Sequence, residues 1–333
     1  MYSIEHYGKD GIKRMIRIGF LGPGAIASVM ADVLKKVPLV ELYAVASRDL
    51  ERAEAFKKIH KFSVAYGSYD DLYGDPSVDL IYIATPHAFH YEQMMAAIAH
   101  HKNIICEKAF CLNRKEAEAV FLAAEEAGVF VAEAMIPAYL PSRVIIDEVI
   151  KENLIGDLIS FHGVFGAPLW HVKRVREKDL GGGALLDIGV YPLYFVLTHF
   201  GPTPRIEQVY LNEVNGVDQS ETIIMRYDNR FKVSITISAV ESLGIYGEII
   251  GTNGSIYIEN IARPEWIEVR NQQHEVIKRL DASQMINGYE YEFIRCVEDI
   301  KAGKLTSSAM KKEDTIMLLD YLDRIRWFHI ASV

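Results

Sequence analysis

The stretch Met15-Ile-Arg-Ile-Gly-Phe-Leu21, followed at once by Gly22-Pro23-Gly24-Ala25-Ile26-Ala27, decides how the rest of the chain is read. A short apolar run ending in glycines predicts a buried strand that turns into a helix. Gly22 and Gly24 let the backbone approach a pyrophosphate, whose charge then rests on the N-terminal amides of the helix at Ala25 and Ile26. Such a string alone fits a plain turn equally well. It gains weight from three downstream runs that answer to the same purpose.

Val40–Ala46 reads as a second strand and ends in Ser47 and Arg48. NAD-preferring sites usually carry an acid here, bonded to the adenosine ribose hydroxyls. A hydroxyl and a guanidinium suit a 2'-phosphate instead, so NADP is the expected cofactor and NAD the alternative. The competing reading makes Ser47 the cap of a helix starting near Asp49 and Arg48 a solvated charge. Asp79–Ala84 is a third strand, running into Thr85-Pro86-His87 and a helix from Ala88 to His100, and Asn103–Lys108 is a fourth. Ligands of a doubly wound sheet lie beyond the carboxyl ends of its strands, which gathers Thr85, His90 and Lys108 toward one crevice.

With 333 residues, half of them apolar, the chain can bury a large core and is expected to form two domains. A net charge of -9 argues against nucleic acid as the main partner and leaves small molecules. No charge-free apolar stretch of about eighteen residues is evident, so no membrane span is expected. Met1–Arg14 has no apolar centre and reads as an extension ahead of the fold, not a secretory signal. The three cysteines, Cys106, Cys111 and Cys296, suit neither a disulfide framework nor zinc, and a reducing cytoplasm is the simplest home. His87 and His90 lack a third ligand at metal spacing, so no metal site is expected.

Near residue 155 the chain changes character. Before it, strands alternate with helical patterns at Leu50–His60, Ala88–His100, Arg114–Ala127 and Pro141–Glu152, as in parallel βαβ units. After it come strand candidates at Leu158–Phe165, Arg205–Val214, Glu221–Tyr227, Phe231–Ala239, Ile245–Ile250, Ser255–Glu259, Trp266–Arg270 and Glu275–Leu280. Turn signals such as Asp228-Asn229 and Thr252-Asn253-Gly254 favour antiparallel pairing. Helices at Gly288–Lys301 and Lys311–Phe328 close the chain and are expected to pack back on the first domain. The fold class is therefore α/β plus α+β: a Rossmann domain over 15–137, then a mostly antiparallel open-sheet domain over 138–333 for substrate binding and oligomerisation.

One helix interrupts the second half. Gly181-Gly182-Gly183-Ala184-Leu185-Leu186-Asp187-Ile188-Gly189-Val190-Tyr191 sets Asp187 and Tyr191 four residues apart, on one face of an α-helix. An acid and a phenol along an apolar helix need polar partners or a ligand. The plainer account has Asp187 held by amides of the glycine turn and Tyr191 as a core aromatic.

Gly22-x-Gly24-x-x-Ala27, Thr85-Pro86-His87-x-x-His90, Glu107-Lys108 and the run from Gly181 to Tyr191 together resemble the Gfo/Idh/MocA oxidoreductases. Within them the chain is most similar to the branch of dimeric dihydrodiol dehydrogenases and NADP-dependent D-xylose dehydrogenases. The resemblance implies a homo-oligomer, dimer or tetramer, built through the C-terminal sheet. It adds Pro86 and Glu107 to the cofactor-binding set, places His90 at nicotinamide or substrate, and makes Lys108, Tyr191 and Asp187 the catalytic group. Alcohol oxidation sends a hydride to the nicotinamide and needs a base for the hydroxyl proton. A phenol of pKa about 10 serves better as base when an ammonium such as that of Lys108 lowers it. Asp187 orients sugar hydroxyls or the lysine.

The chain departs from the family in two places. Ala109 replaces the proline after Glu107-Lys108, and Ile136 and Ala138 stand where relatives have tryptophan and arginine, which removes a stacking plate and a guanidinium fork. Trp170 and His171 are candidate substitutes in the pocket, and the following Lys173-Arg174-Val-Arg176 run reads as a solvated loop. The expected function is an NAD(P)-dependent oxidoreductase acting on a sugar, polyol or diol. A non-catalytic dinucleotide sensor and a glycosidase with a closed NAD redox cycle are the alternatives.

Overall fold

The computed structural model describes residues 15–228 and 230–332, so the extension Met1–Arg14 and the Asn229 half of the expected Asp228-Asn229 turn lie outside the described residues. The chain divides into two compact units. The first runs through Cys111 and adds Lys115–Met135 and Met285–Thr315; the second comprises Leu112–Arg114, Ile136–Gln284 and the chain from Ile316 onward.

The first unit is a six-stranded parallel sheet with helices between its strands. In chain order it contains β1 (Ile16–Leu21), α1 (Ala25–Leu34), β2 (Val40–Ala46), α2 (Leu50–His60), β3 (Val64–Tyr66), α3 (Tyr69–Gly74), β4 (Leu80–Ile83), α4 (His90–Ala99), β5 (Asn103–Glu107), α5 (Arg114–Ala127) and β6 (Val131–Ala134). The spatial order β3-β2-β1-β4-β5-β6 reverses direction between β1 and β4, and that reversal opens the crevice in which a doubly wound sheet binds nucleotides. All four residues of β4 are buried, as expected of a strand covered on both faces. β3 and β6, only three and four residues long, are too short to leave a periodic signal in the sequence.

The second unit opens with α6 (Ile136–Tyr139), α7 (Ser142–Lys151), β7 (Leu158–Gly166), α8 (Lys173–Arg176) and α9 (Val190–His199). The strands β8 (Arg205–Val214), β9 (Val217–Arg226), β10 (Lys232–Ser238), β11 (Gly244–Gly251), β12 (Gly254–Ile258), β13 (Trp266–Asn271) and β14 (Val276–Asp281) then follow without a helix between them. They form an eight-stranded sheet ordered β14-β13-β12-β11-β7-β10-β9-β8. Pairing is antiparallel except between β7 and β10, which run parallel because α8, α9 and two strands intervene. Phe161 of β7 stacks on Phe195 of α9 with centroids 4.9 Å apart, so α9 roofs the inner face.

The helical run Lys178–His199, which contains Asp187, is long and apolar enough to cross a bilayer by length and composition alone. Its apolar window is 83% buried within the protein, as the helix covering a sheet must be. β9 also starts at Val217, four positions before the expected Glu221, because Val217–Ser220 is polar enough to read as a loop. Of the closing helices, α10 (Glu290–Lys301) lies in the first unit, with Phe293 edge-on to Tyr82 of β4 at 5.4 Å. The last helix, α11 (Lys312–Ser332), leaves that unit after Thr315.

Candidate active site

In the first unit the candidate cofactor residues follow the carboxyl ends of four neighbouring strands. Gly22 leaves β1 at φ +95°, where a Cβ would lie 2.9 Å from Thr85 Cγ2 and 3.2 Å from the Ala84 carbonyl oxygen. A side chain is therefore excluded twice, by conformation and by space. Gly24 caps α1 without any side-chain hydrogen bond, and no acid occupies the first turn, so the amides at Ala25 and Ile26 face no competing carboxylate. This cradle fits a pyrophosphate.

After β2, Ser47 is buried and its hydroxyl accepts from the Asp49 amide at 3.2 Å. Asp49, the nearest acid, is itself the cap of α2, accepting from the amides of Glu51 and Arg52. Ser47 is thus not the helix cap, and the acid beside it is already engaged. Arg48 lies over the Phe89 ring at 5.5 Å and is hydrogen-bonded to Tyr69, with the Arg52 charge also close to that phenol. Two guanidiniums and a hydroxyl at the end of β2 suit a phosphate better than a ribose diol.

After β4, Thr85 Oγ1 donates to Gln93 Oε1 at 2.5 Å, and Pro86 starts a 3-10 turn over His87–Phe89 that leads into α4. His90 is fully buried. Its Nδ1 lies 2.9 Å from the Ala109 carbonyl and its Nε2 2.8 Å from the Thr85 carbonyl. Two backbone carbonyls flank the ring, and whichever nitrogen carries the proton donates to the one it faces. The imidazole sits between the end of β4 and the residue after Lys108, and burial lowers its pKa.

The Lys108–Ala109 peptide bond is cis. Glu107 is buried and accepts from Tyr82 Oη at 2.5 Å. Lys108, at the strand's end, is half-buried. Glu133 of β6 accepts from the Phe110 amide at 3.2 Å and from Thr315 Oγ1 at 2.8 Å. Burial pushes its carboxyl up to about 7, with Glu107 adding to the rise while Thr315, the Phe110 amide and the Lys108 charge oppose it. Glu292 of α10 is buried with neither oxygen hydrogen-bonded, and burial, then Glu107 and Glu290, hold its carboxyl well above the usual range. Buried acids around β5 thus include Glu107, Glu133, which also feels the Lys108 charge, and Glu292, which lies near Glu107; no periodic or motif signal marks Glu133 or Glu292.

In the second unit Asp187 lies in a π-helical turn, Leu185–Gly189, directly before α9. A π turn holds more residues than an α turn, so the four-residue spacing to Tyr191 does not carry the face argument by itself. Asp187 is buried and accepts from Arg174 Nη1 at 2.5 Å. Arg174 is therefore no member of a solvated loop. Two backbone bonds tether its segment to the glycine turn: Gly182 N to the Glu177 carbonyl at 3.1 Å and Gly183 N to the Val175 carbonyl at 2.8 Å. The acid gripped by that turn is Asp218 of β9, whose Oδ2 accepts from the Leu185 amide at 2.6 Å.

Tyr191 is half-buried, its ring stacked on Phe165 with centroids 5.5 Å apart and planes 17° from parallel. Trp170 donates its amide to the Ala239 carbonyl, and exposed His171 has Nδ1 at 3.0 Å from the Pro168 carbonyl. Both follow the end of β7, the same strand that carries Phe165. Ile136 and Ala138 are buried, so aliphatic packing occupies those positions.

Comparison with known proteins gives a consistent result. Residues 16–135 match the family model described as oxidoreductase family, NAD-binding Rossmann fold. Residues 145–257 match that of the GFO/IDH/MocA C-terminal domain. The chain is 31% identical over 317 residues to the trans-1,2-dihydrobenzene-1,2-diol dehydrogenase of Xenopus laevis, covering 92% of this chain and 95% of the relative. Among solved structures, the 3-ketoreductase KijD10 of Actinomadura kijaniata, in complex with NADP and TDP-benzene, superposes with a TM-score of 0.86 at 24% identity over 94% of this chain and 98% of that one. A levoglucosan dehydrogenase in complex with NADH and levoglucosan gives 0.81 at 20% identity, covering 94% of this chain and 97% of that one.

Proposed function

Because the chain belongs to the Gfo/Idh/MocA oxidoreductases, we propose that it interconverts a secondary alcohol and its ketone on a sugar, polyol or diol with NADP(H) as hydride carrier. The observation that carries the cofactor half is the glycine turn, where Gly22 at φ +95° stands against Thr85 and the Ala84 carbonyl ahead of an uncapped helix. When bound, the nicotinamide accepts or returns the hydride. Gly22, Gly24, Ala25 and Ile26 hold the pyrophosphate, Ser47 and Arg48 the 2'-phosphate, and Thr85, Pro86 and Glu107 line the approach to the ring. Lys108 hydrogen-bonds the reacting oxygen and keeps its developing charge compensated. Tyr191 takes the hydroxyl proton in oxidation and returns it in reduction. Asp187, tied to Arg174, fixes the polar surroundings of the phenol. Trp170 and His171 contact the substrate's far side.

The same reading makes the protein a homo-oligomer through the outer face of the eight-stranded sheet. Tyr246 and Tyr257 stack there at 5.8 Å, Arg270 and Arg279 cover Tyr257 and Trp266, and Tyr210 is 57% exposed. A panel of aldoses, inositols and diols, followed by nicotinamide absorbance with NADP and NAD in turn, tests the function. Reduced NADP should accumulate with at least one substrate. Cofactor binding without turnover on the whole panel would establish the sensor instead, and glycoside cleavage by tightly retained NAD without net reduction would establish the glycosidase.

A further inference from the structure

We infer that Asp218, a residue of the second unit's sheet, is a positioning residue for the proton-handling face, capping from β9 the turn that carries Asp187 and leads to Tyr191. The inference rests on the proposed role of Tyr191.

Three observations converge on Asp218. First, the turn Leu185–Gly189 has no side-chain cap of its own, since Ala184 stands at its N-cap. The amides at its start need an acceptor, and Asp218 reaches across from a strand 33 residues away in sequence to take the one at Leu185, at 2.6 Å. A second hydrogen bond, from the Ala184 amide, reinforces the first. A carboxylate at a helix start gains from both the free amides and the helix dipole.

Second, Gly183 is shaped for this contact. It stands at φ +125°, and a Cβ there would lie 2.1 Å from Asp218 Oδ1. Any larger residue would push the carboxylate off the Leu185 amide. The glycine run ahead of the helix therefore admits an acid from another element, in addition to making the turn.

Third, a buried acid stands beside Asp218 on the same strand. Glu221 lies close by on β9, buried, with Oε2 lacking a hydrogen-bond partner. Burial, then the nearby Asp218, raises the Glu221 carboxyl against the opposing Arg326 charge. Burial likewise raises the Asp218 carboxyl above its ordinary value, opposed by the amides of Leu185, Asp218 itself and Ala184 and by the Arg326 charge. The strand thus places two acids beneath the turn, and the Leu185 and Ala184 amides hold Asp218.

Asp218→Ala and Asp218→Asn separate this role from general stability, because asparagine keeps an acceptor for the Leu185 amide. Asp218→Ala should lose roughly ten- to a hundredfold in kcat, while KM for alcohol and cofactor and the affinity for NADPH stay within about threefold. Asp218→Asn should recover to within about threefold of the parent. Equal impairment of the two variants, full kcat in Asp218→Ala, or a parallel loss of NADPH affinity would each overturn the inference. If Asp218→Ala does not fold, Asp218→Ser takes its place, its hydroxyl being too short to reach Leu185; the same kcat loss is expected, and parental turnover overturns the role. Tyr191→Phe in the same assay keeps the two claims apart. Full turnover there sinks the proton assignment, whereas lost turnover there with full turnover in Asp218→Ala sinks the role of Asp218 alone.

Discussion

The two units hold their candidate functional groups by different means. In the first, the residues offered to a dinucleotide stand at strand ends and a helix start: Gly22 after β1, Ser47 and Arg48 after β2, Thr85 after β4, Lys108 after β5. Backbone geometry places them, and side chains mainly finish the job. In the second, side chains do the placing. Arg174 grips Asp187, Asp218 grips the Leu185 amide, and Phe165 backs the Tyr191 ring. A backbone-built site tolerates most substitutions except those that alter its turns, whereas a site built from side chains fails when any partner is cut to a stub.

The hardest test of this contrast removes the two groups assigned to the reacting oxygen and its proton. Lys108→Met and Tyr191→Phe should each lower kcat by about a hundred- to ten-thousandfold while leaving cofactor affinity nearly unchanged, the span general acid–base groups contribute. Steady-state rates with the best substrate and NADPH titration by fluorescence decide it. Either variant at parental kcat breaks the mechanism.

Two arginines, both substantially exposed, then sharpen the comparison, because each unit uses one differently. Arg174 neutralises a buried acid, and its loss leaves Asp187 without that guanidinium in a dry setting, a costly state. Arg174→Met should therefore lose roughly ten- to a hundredfold in kcat/KM with NADP and NAD alike, and Arg174→Lys should restore part of it. Arg48 engages Phe89 and Tyr69 at the end of β2, so Arg48→Ala should leave NAD turnover intact and lower the NADP-to-NAD ratio of kcat/KM by about ten- to a hundredfold, the worth of one or two charge-assisted bonds. If Arg48→Ala instead depresses both cofactors equally, the 2'-phosphate reading fails.

The same contrast explains what was legible in the sequence. Strands such as Val40–Ala46 and the helix Leu50–His60 appear at their expected bounds because an apolar run or a 3.6-residue period is a local signal. The glycine turn, Ser47-Arg48 and Glu107-Lys108 were readable because each directly follows such a run. Arg174 was not: a basic run of four residues looks solvated until a buried acid from another segment is seen beside it. Asp218 sits in a polar strand extension that resembles a loop, while Glu133 comes close to Lys108, and Glu292 to Glu107, only through elements distant in sequence. His90, whose spacing in the motif suggested a ligand contact, is fully buried between the Thr85 and Ala109 carbonyls, a setting made by chain segments that the motif does not show.

The smallest effect expected is one of stability, and it concerns a buried acid of the first unit. Glu292 is buried near Glu107 and Glu290, close to Tyr82, and neither of its oxygens has a hydrogen-bond partner. Its folded pKa is raised above the value of about 4.3 that an unfolded chain would give it. The native protein therefore holds a proton that the unfolded chain has already released. Stability from this group is complete below the unfolded pKa and declines as pH rises toward the folded one. Glu292→Gln keeps the shape, breaks no hydrogen bond and abolishes the titration. Its Tm should equal or slightly fall below the parent's in mild acid and exceed it by a few degrees, on the order of 2–4 °C per kcal/mol, in mild alkali. Thermal melts of both proteins from about pH 5 to about pH 9 measure the gap. Parallel curves over that range would mean that Glu292 ionises in the folded protein, and the interior around Glu107 would then have to contain a counter-charge.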